Sequence, residues 1–328
     1  VDQSIFQWRG GDPEAFDDPS IPFPEAQRRL LSQSYRVPRA VHAKAQRIIR
    51  RIRTRRDVDY YPRDAEGEVL SGKCFTSWPL APYAVSKATR YLDQGKSVMF
   101  LASCEYLLRP IMEALRDAGI PYWNPFARDR GQFNPLTPSK GTSAYQRVAN
   151  YLRPQEAFYG QQARLWTWQE LHSWVDACPA DGLLKRGAKT EIARRAKDHD
   201  AQMTAVDITG CFEQAVLDKM ETDTLGALRG FLKKERASST KFALEVLKKH
   251  GMAELAKTPR ITVGTIHSVK GGAADVVFLS PDLSAQGFDH YNRAAGRDEM
   301  IRLFYVAMTR ARETLVLCDQ DNDKAFAM

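Results

Sequence analysis

The chain lacks the sequence features of membrane, secreted and zinc-binding proteins. No apolar run approaches the roughly 18 residues that a helix needs to span a bilayer, and no secretory signal opens the chain. The five cysteines (positions 74, 104, 178, 211 and 318) include no C-x-x-C pair, so neither a zinc site nor a disulfide framework is indicated. These absences favour a reduced, cytoplasmic setting, with no membrane partner and no metal ligands.

A complete phosphate-binding loop is also missing. The string GEVLSGKC, Gly67 to Cys74, departs from the pattern G-x-x-x-x-G-K-[ST] only at Cys74, which lacks the hydroxyl that would hold Mg²⁺. The segment before this string is polar, and the segment after it runs into Trp78-Pro79 instead of a helix. No Asp-Glu pair follows an apolar strand. The sequence therefore predicts no complete nucleotide site.

The size and charge of the chain are informative. Its 328 residues, 43% of them hydrophobic, are enough for two or three domains with cores. The formal net charge is +8 and the pI about 9.2. Such an excess suits a polyanion, because neutralised phosphates release counterions and supply affinity without sequence information. A solvated basic surface is the alternative.

The stretch from residue 261 to residue 317 has the clearest pattern. Contiguous apolar residues predict two buried strands, Ile261 to His267 and Ala274 to Ser280. The turn Lys270 to Gly272 offers backbone N–H groups and one cation at a strand end, where ligands bind in open α/β sheets. A helix from Arg297 to Arg312 is expected next, followed by a strand from Thr314 to Cys318. An ordinary buried αβ unit with surface arginines fits this pattern as well.

The remaining segments indicate one parallel sheet and one helical insert. A strand from Ser97 to Ser103, a helix from Glu105 to Ala118 and a strand from Ile120 to Trp123 belong in the same sheet as the C-terminal strands. Prolines 19, 22 and 24 mark a stiff link, and the segment 126–138, rich in Gly, Pro and Asn, marks a boundary. Residues 139–256 are predicted to be helical, with a core built by Trp166, Trp168 and Trp174.

Two basic segments each allow two interpretations. Residues 36–56 are predicted to form a basic amphipathic helix, and they hold nine Lys and Arg residues and no acidic one. Their polar face is either solvated or directed at phosphates. Near the start, Phe6, Trp8 and Arg9 combine aromatic rings with a cation, as a single-strand stacking platform requires. A strand with its aromatic residues in a core is the alternative.

Four strings resemble helicase motifs. TIHSVKGG and IRLFYVAMTRAR are similar to motifs V and VI of the superfamily 1 DNA helicases related to UvrD, Rep and PcrA. QSIFQWRGG resembles motif III, and QSYRVP, Gln33 to Pro38, resembles motif IV. The four matches occur in the order that the family requires and span almost the whole chain. The chain therefore resembles the second half of such a helicase, and its start, a Val inside motif III, is expected to be an artificial or processed boundary.

The resemblance implies an α/β fold. It consists of a RecA-like, P-loop NTPase-type parallel sheet (domain 2A) with an all-helical inserted subdomain (2B-like). The implied boundaries are 1–23 for the edge of motor domain 1A with its linker, 24–130 and 258–328 for the two parts of domain 2A, and 131–257 for the insert. The insert has no clear copy of the Gly-x-Gly motif with which larger relatives contact duplex DNA, which puts that role in question.

The resemblance also implies the site residues. By position, Gln3 senses the terminal phosphate of ATP, and Arg36 and Arg310 are the cations that stabilise phosphoryl transfer. The implied nucleotide-binding residues are Tyr35, which stacks on adenine, with Lys270, Gly271 and Gly272. The implied DNA contacts are Phe6, Trp8, Arg9, Thr265 and His267. From the residues alone, a hydrogen-bonded core histidine is the better interpretation of His267.

Two positions depart from the family pattern. Ala273 replaces a glutamate that touches the ribose, and Met300 replaces a second acid in motif VI, whose Arg302 and Tyr305 we expect to be structural. The implied function is the C-terminal part of an ATP-dependent DNA helicase, which suggests a role in DNA repair. It would use ATP with Mg²⁺, single-stranded DNA, a duplex junction and the N-terminal motor half (domains 1A and 1B). The chain alone is predicted to be inactive.

Two alternatives to the helicase remain open. One is a catalytically inactive module that binds DNA or a partner. The other is a helicase–nuclease subunit, although little chain follows Leu317 to hold a nuclease.

Overall fold

The chain forms two compact units. The computed structural model describes residues 2–6, 32–52, 55, 59–125, 134–136, 143–152, 165–179, 181–199 and 201–328. Unit 1 holds the described residues up to Leu115, residues 122–125 and Pro259–Met328. Unit 2 holds Arg116–Pro121 and the described residues of Asn134–Thr258. Trp8 and Arg9, and the proline-rich link, lie outside the described residues.

Unit 1 is built on a sheet of six parallel strands in the order β1-β6-β5-β2-β4-β3. The strands are β1 (Glu68–Gly72), β2 (Val98–Ala102), β3 (Tyr122–Trp123), β4 (Ile261–Thr265), β5 (Ala274–Leu279) and β6 (Ala311–Cys318). The central strand β2 is buried along its whole length, as its continuous apolar sequence requires for a strand covered on both faces. The prediction of an α/β fold with a parallel sheet is confirmed.

Five helices accompany this sheet. They are α1 (Arg39–Ile49), α2 (Ala81–Asp93), α3 (Arg109–Asp117), α11 (Ala285–Asn292) and α12 (Ala294–Met308). Helices α1 and α12 pack against each other, and both contribute to one core with the inner strands. In α1 the apolar residues recur at three- and four-residue spacing, so Val41, Ala45 and Ile48 share the buried face.

Several predicted element boundaries were wrong in unit 1. The helix predicted for residues 36–56 begins only after Pro38 and ends at Ile49. The helix predicted to end at Arg312 ends at Met308, and β6 begins at Ala311 instead of Thr314. Thr309 and Arg310 therefore lie in the short link between α12 and β6. The strand predicted to reach His267 ends at Thr265, which places His267 in the turn that follows.

The phosphate-loop look-alike is a strand. Residues Glu68–Gly72 form β1, the edge strand that pairs in parallel with β6 from Glu68↔Thr314 to Gly72↔Cys318. An extended edge strand has no concave array of backbone N–H groups, so the segment cannot wrap a phosphate. Helix α2 begins only after a link of eight residues, so no helix directly follows the segment, as expected.

Unit 2 is helical. Its helices are α4 (Ala144–Leu152), α5 (Trp168–Val175), α6 (Ala188–Arg195), α7 (Ala205–Cys211), α8 (Gln214–Thr222), α9 (Thr224–Phe231) and α10 (Lys234–His250). These helices lie within residues 139–256, the stretch that was predicted to be helical. Trp166, Trp168 and Trp174 are all buried in one core, as predicted. The rings of Trp166 and Trp174 lie nearly parallel, 6.3 Å apart.

No helix in the described part of the chain combines the length and apolar character needed to cross a bilayer.

Candidate functional site

A cleft of about 510 Å³ in unit 1 gathers three of the predicted residues. Gln3, Tyr35 and Arg36 line it together with Thr309 and Arg312. Ser34 fixes the local turn, because its hydroxyl accepts hydrogen bonds from the backbone N–H groups of Arg36 (3.3 Å) and Val37 (3.0 Å). The Tyr35 side chain is 87% exposed, which leaves a free ring face for a planar ligand.

Arg310 lies beside this cleft and is almost completely buried. It is 1% exposed, and its guanidinium donates to the backbone carbonyls of Val306 (2.9 Å) and Gly272 (3.2 Å) and to the Thr309 hydroxyl (3.2 Å). No carboxylate among the described residues forms an ion pair with it. A buried cation that is bonded only to neutral oxygen atoms retains most of its desolvation cost.

Arg36 and Arg310 are electrostatically coupled. Burial, with repulsion from Arg36 as the next cause, lowers the pKa of Arg310 to about 10. Two neighbouring guanidinium groups, each with a positive charge, form a site of positive potential. Such a site is arranged to receive an anion, and phosphate oxygens match guanidinium donors in both charge and geometry.

A second cluster joins three of the other predicted residues. The rings of Phe6 and His267 are 6.0 Å apart, and the Lys270 ammonium lies 4.8 Å from the Phe6 ring centre. Lys270, which the sequence placed with the nucleotide, therefore lies with the predicted DNA contacts. An aromatic ring beside a cation is suited to an unpaired base with its phosphate.

Thr265 and the two glycines have structural contacts. Thr265 is buried, its hydroxyl accepts from the Ser268 N–H (3.3 Å), and its carbonyl accepts from the Ser268 hydroxyl (2.8 Å). Gly271 has a φ of +95°, which favours glycine at this turn, and Gly272 supplies the carbonyl that Arg310 binds.

The two clusters lie at opposite ends of the strands. Thr265 closes the carboxyl end of β4, whereas Arg310 directly precedes β6, and its carbonyl accepts from the N–H of Ala274 (3.1 Å), the first residue of β5. The strands run parallel, so the connection 266–273 crosses from one edge of the sheet to the other. Residues 2–6 make the same crossing, because Gln3 lines the cleft near Arg36 while Phe6 meets His267.

A larger cavity of about 620 Å³ lies at the carboxyl edge of the sheet. Its lining includes Cys104, which follows β2, and His267, which follows β4. On its far wall, His290 of α11 and Glu299 of α12 form a hydrogen bond of 2.9 Å. Sequence reasoning did not identify this cavity, because α11 shows no buried residue and hence no apolar periodicity.

Six lining residues of the Arg36 cleft were not assigned as site residues from the sequence: Gln33, Ser34, Val37, Tyr60, Thr309 and Arg312. Tyr60 follows a polar segment without periodicity, so no local signal points to it. Arg312 was noted near the end of the predicted helix, but it is the second residue of β6, with a half-exposed side chain 4.0 Å from Asp275. Arg302 and Tyr305 are both buried.

The described residues contain no group of three or more His, Cys, Asp or Glu side chains that could hold a metal ion. The donor set of the Arg36 cleft, made of amide, hydroxyl and guanidinium groups, suits an anion and does not suit a divalent cation.

The parallel sheet and the paired cations define an α/β protein with an anion-accepting cleft. Residues 146–321, more than half of the chain, match the family described as UvrD-like helicase C-terminal domain. The chain therefore belongs to this family. A search of curated proteins finds no match.

Proposed function

We propose that this chain is the C-terminal part of an ATP-dependent DNA helicase, in which it supplies arginine fingers and single-stranded DNA contacts. In this proposal unit 1 is the RecA-like domain 2A, with residues 24–130 and 258–328, and residues 1–23 form the edge of domain 1A. Residues 131–257 are the 2B-like insert. The N-terminal motor half would supply the phosphate loop and the carboxylates for Mg²⁺.

The coupled pair Arg36 and Arg310 carries the proposal. Both residues come from motifs in which the family places cations for phosphoryl transfer, and the charge of Arg36 repels that of Arg310, which forms no ion pair among the described residues. A purely structural arginine at position 310 would be expected to have an acidic partner, since a buried unpaired charge is costly. An incoming γ-phosphate would provide that partner, and the charge that develops in the transition state would strengthen the interaction.

The other cleft residues fit the same ligand. The exposed ring of Tyr35 is available to stack on adenine, and Gln3 lies in the same cleft, where its amide would contact the terminal phosphate. Lys270, Gly271 and Gly272 would act indirectly. Gly272 holds Arg310 through its carbonyl oxygen, and the turn connects the nucleotide side to the DNA side.

The DNA strand would run along the opposite edge of the sheet. Phe6 and His267 would contact a base and Lys270 a phosphate, with Trp8 and Arg9 following along the strand. Thr265 would act by fixing the turn that carries His267, since its hydroxyl is already bonded within that turn.

Coupling between the two sides would pass through one hydrogen bond. When Arg310 reaches towards a phosphate, it releases the Gly272 carbonyl, and the turn that carries Lys270 and His267 is free to shift. The nucleotide bound in the cleft and the affinity for the DNA strand would then be linked through a single segment.

DNA-stimulated ATP hydrolysis is the decisive test. The purified 328-residue chain should show no turnover, whereas the same chain joined to its N-terminal motor half should hydrolyse ATP. Arg36→Ala and Arg310→Ala should each lower that rate by about 10³-fold or more. Arg90→Ala, which removes an exposed cation of α2, serves as the matched control and should leave the rate unchanged. Normal turnover by both cleft variants would disprove the proposal.

A catalytically inactive DNA- or partner-binding module is the second candidate. Ala273 in place of the acidic ribose contact favours it, as does the retracted position of Arg310, which is bonded to three protein oxygen atoms. The same assay separates the two functions, because a module would bind single-stranded DNA but hydrolyse no ATP even when joined to the motor half.

A further inference from the structure

Helix α1 carries a dense basic surface that neither candidate cluster uses. Its apolar side is buried, and the opposite side presents Lys44 and Arg47, followed directly by Arg50 and Arg51. We refer to these four residues as the α1 basic face. Arg47, Arg50 and Arg51 are exposed, and Lys44 is half-buried. None of the four lines either of the two cavities described above.

The α1 basic face has no acidic partner. Within the described ranges, none of its four residues forms an ion pair with a carboxylate, although nearby Arg39 pairs with Asp64 (2.6 Å). Its charges also oppose one another. After burial, repulsion from Arg51 and Arg47 is the next cause that lowers the pKa of Lys44, and repulsion from Arg50 contributes to the lowered pKa of His42.

The helix dipole explains only part of this clustering. Cations in the last turn of a helix gain about 0.3–1 kcal/mol from the partial negative charge there, which accounts for Arg47 and the cap residue Arg50. It does not account for Lys44 in the middle of the helix. Like charges three and four residues apart are destabilising on a helix surface, so the full cluster costs stability unless a polyanion offsets it.

The geometry favours a nucleic acid over a membrane. A helix that binds a membrane surface inserts large apolar side chains beside its basic ones, but the large apolar residues of α1 (Val41, Ile48 and Ile49) are all buried in the protein core. Lys44 and Arg51 are seven residues apart, or about 10 Å along a helix axis. That span matches the axial rise of about three nucleotides in one strand of a B-form duplex.

We propose that the α1 basic face binds the phosphate backbone of a nucleic acid at a second site, away from the cluster of Phe6, His267 and Lys270. The binding is independent of base sequence, because guanidinium and ammonium groups on a solvent-facing helix reach phosphates without reading base edges. It needs neither ATP nor the N-terminal motor half, so it does not depend on the proposed function.

The test compares two sets of charge removals in the full 328-residue chain. The first variant carries Lys44→Gln, Arg47→Gln, Arg50→Gln and Arg51→Gln. The control variant carries Lys73→Gln, Lys87→Gln, Arg90→Gln and Arg109→Gln, four exposed cations elsewhere on unit 1. Both variants lose four positive charges. Affinities for a fluorescein-labelled 20-base-pair duplex and a 20-nucleotide single strand are measured by anisotropy from about 50 to 200 mM salt, without nucleotide.

The α1 variant should bind at least one of these DNA probes about tenfold more weakly or worse at low salt, and its plot of log affinity against log salt should be shallower by about 3. The control variant should change much less. Equal losses of DNA affinity in both variants would show that only the net charge matters, which would overturn the proposal. An unchanged DNA affinity in the α1 variant would overturn it as well. Wild-type binding to phosphatidylserine vesicles with no loss of DNA affinity in the variant would overturn it in favour of a membrane.

A single exposed substitution covers the case in which the fourfold variant does not fold. Arg47→Glu changes an exposed side chain that forms no hydrogen bond or ion pair among the described residues, so the variant should fold. It should still lower the salt slope by about 1 relative to wild type. An unchanged slope in this folded variant contradicts the proposal.

Discussion

Replacing Arg310 by methionine should stabilise unit 1 while it abolishes the proposed catalysis. Methionine fills a similar volume without charge, and buried ionic groups can often be replaced by apolar residues of the same size without loss. Arg310 is a strong case, because its side chain is 1% exposed and bonded only to neutral oxygen atoms.

The size of the effect follows from the pKa and the bonds. A fall in the pKa of Arg310 to about 10 from an ordinary value of about 12.5 corresponds to about 3–4 kcal/mol, at about 1.4 kcal/mol per pKa unit. Against this, the Gly272 carbonyl and the Thr309 hydroxyl each lose a donor, at a cost of about 1 kcal/mol each. Val306 keeps the Thr309 hydroxyl as a donor at 2.9 Å. The expected net stabilisation is about 1–2 kcal/mol.

Hydrogen exchange of amides in α12 and β6 is the appropriate assay. The chain has two compact units, so a single unfolding free energy for the whole molecule is not well defined. The gap between variant and wild type should stay constant from pH 6 to 9. Arg310 carries its proton in both the folded and the unfolded state in that range. The free-energy cost of burying its charge is relieved only as pH rises above about 10.

A loss of about 2 kcal/mol or more in Arg310→Met would refute this reasoning, because it would make the arginine a structural bond donor. Arg310→Lys is the matched control. It keeps the buried charge but loses the planar fork, so it should bring no stabilisation.

Three further predictions concern stability. Asp282→Ala should cost about 3 kcal/mol in the opening free energy measured by hydrogen exchange of unit 1 amides, because its fully buried carboxylate accepts from two hydroxyls and two backbone N–H groups, whereas exposed Asp289→Ala should be nearly neutral in the same assay. Burial, with repulsion from Arg50 as a lesser cause, lowers the pKa of His42, so the unfolded chain binds this proton more readily. Stability should fall as pH drops below about 6.5, and His42→Gln should reduce that fall; an identical pH slope would count against it. Gly67→Ala should destabilise more than Gly95→Ala in thermal melts, since both have positive φ but only at Gly67 would a Cβ meet Pro38 and the Glu313 carbonyl.

The inner strands were predictable because their signal is local. Val98–Ala102 is a short continuous apolar run, and only Asp275 interrupts the run in Ala274–Leu279, a pattern typical of a strand covered on both faces. The tryptophan core of unit 2 was predictable from the size of the rings, since large apolar side chains need burial.

The edge of the sheet was not predictable in this way. Strand β1 alternates weakly between exposed and half-buried residues, so its five residues show neither a clean period nor an apolar run. Its only strand neighbour, β6, lies more than 240 residues further along the chain. A pairing that distant leaves no trace in the local pattern.

The candidate site was predictable as a set of residues but not as an arrangement. Motif order grouped Arg36 with Arg310 and Thr265 with His267, whereas the distribution of these residues over two edges of the sheet depends on the path of the chain. The placement of Lys270 against Phe6 depends on the same path, which joins segments far apart in sequence.

The connection between β4 and β5 has little spare length. Its eight residues, 266–273, could reach at most about 28 Å when fully extended, and the five-residue strand that they must pass is about 17 Å long. In the proposed function, a displacement at the Gly272 end of this connection would therefore also move the His267 end. Lengthening the connection by a few glycines should leave both ends folded and chemically intact, yet remove the proposed link between the two edges of the sheet.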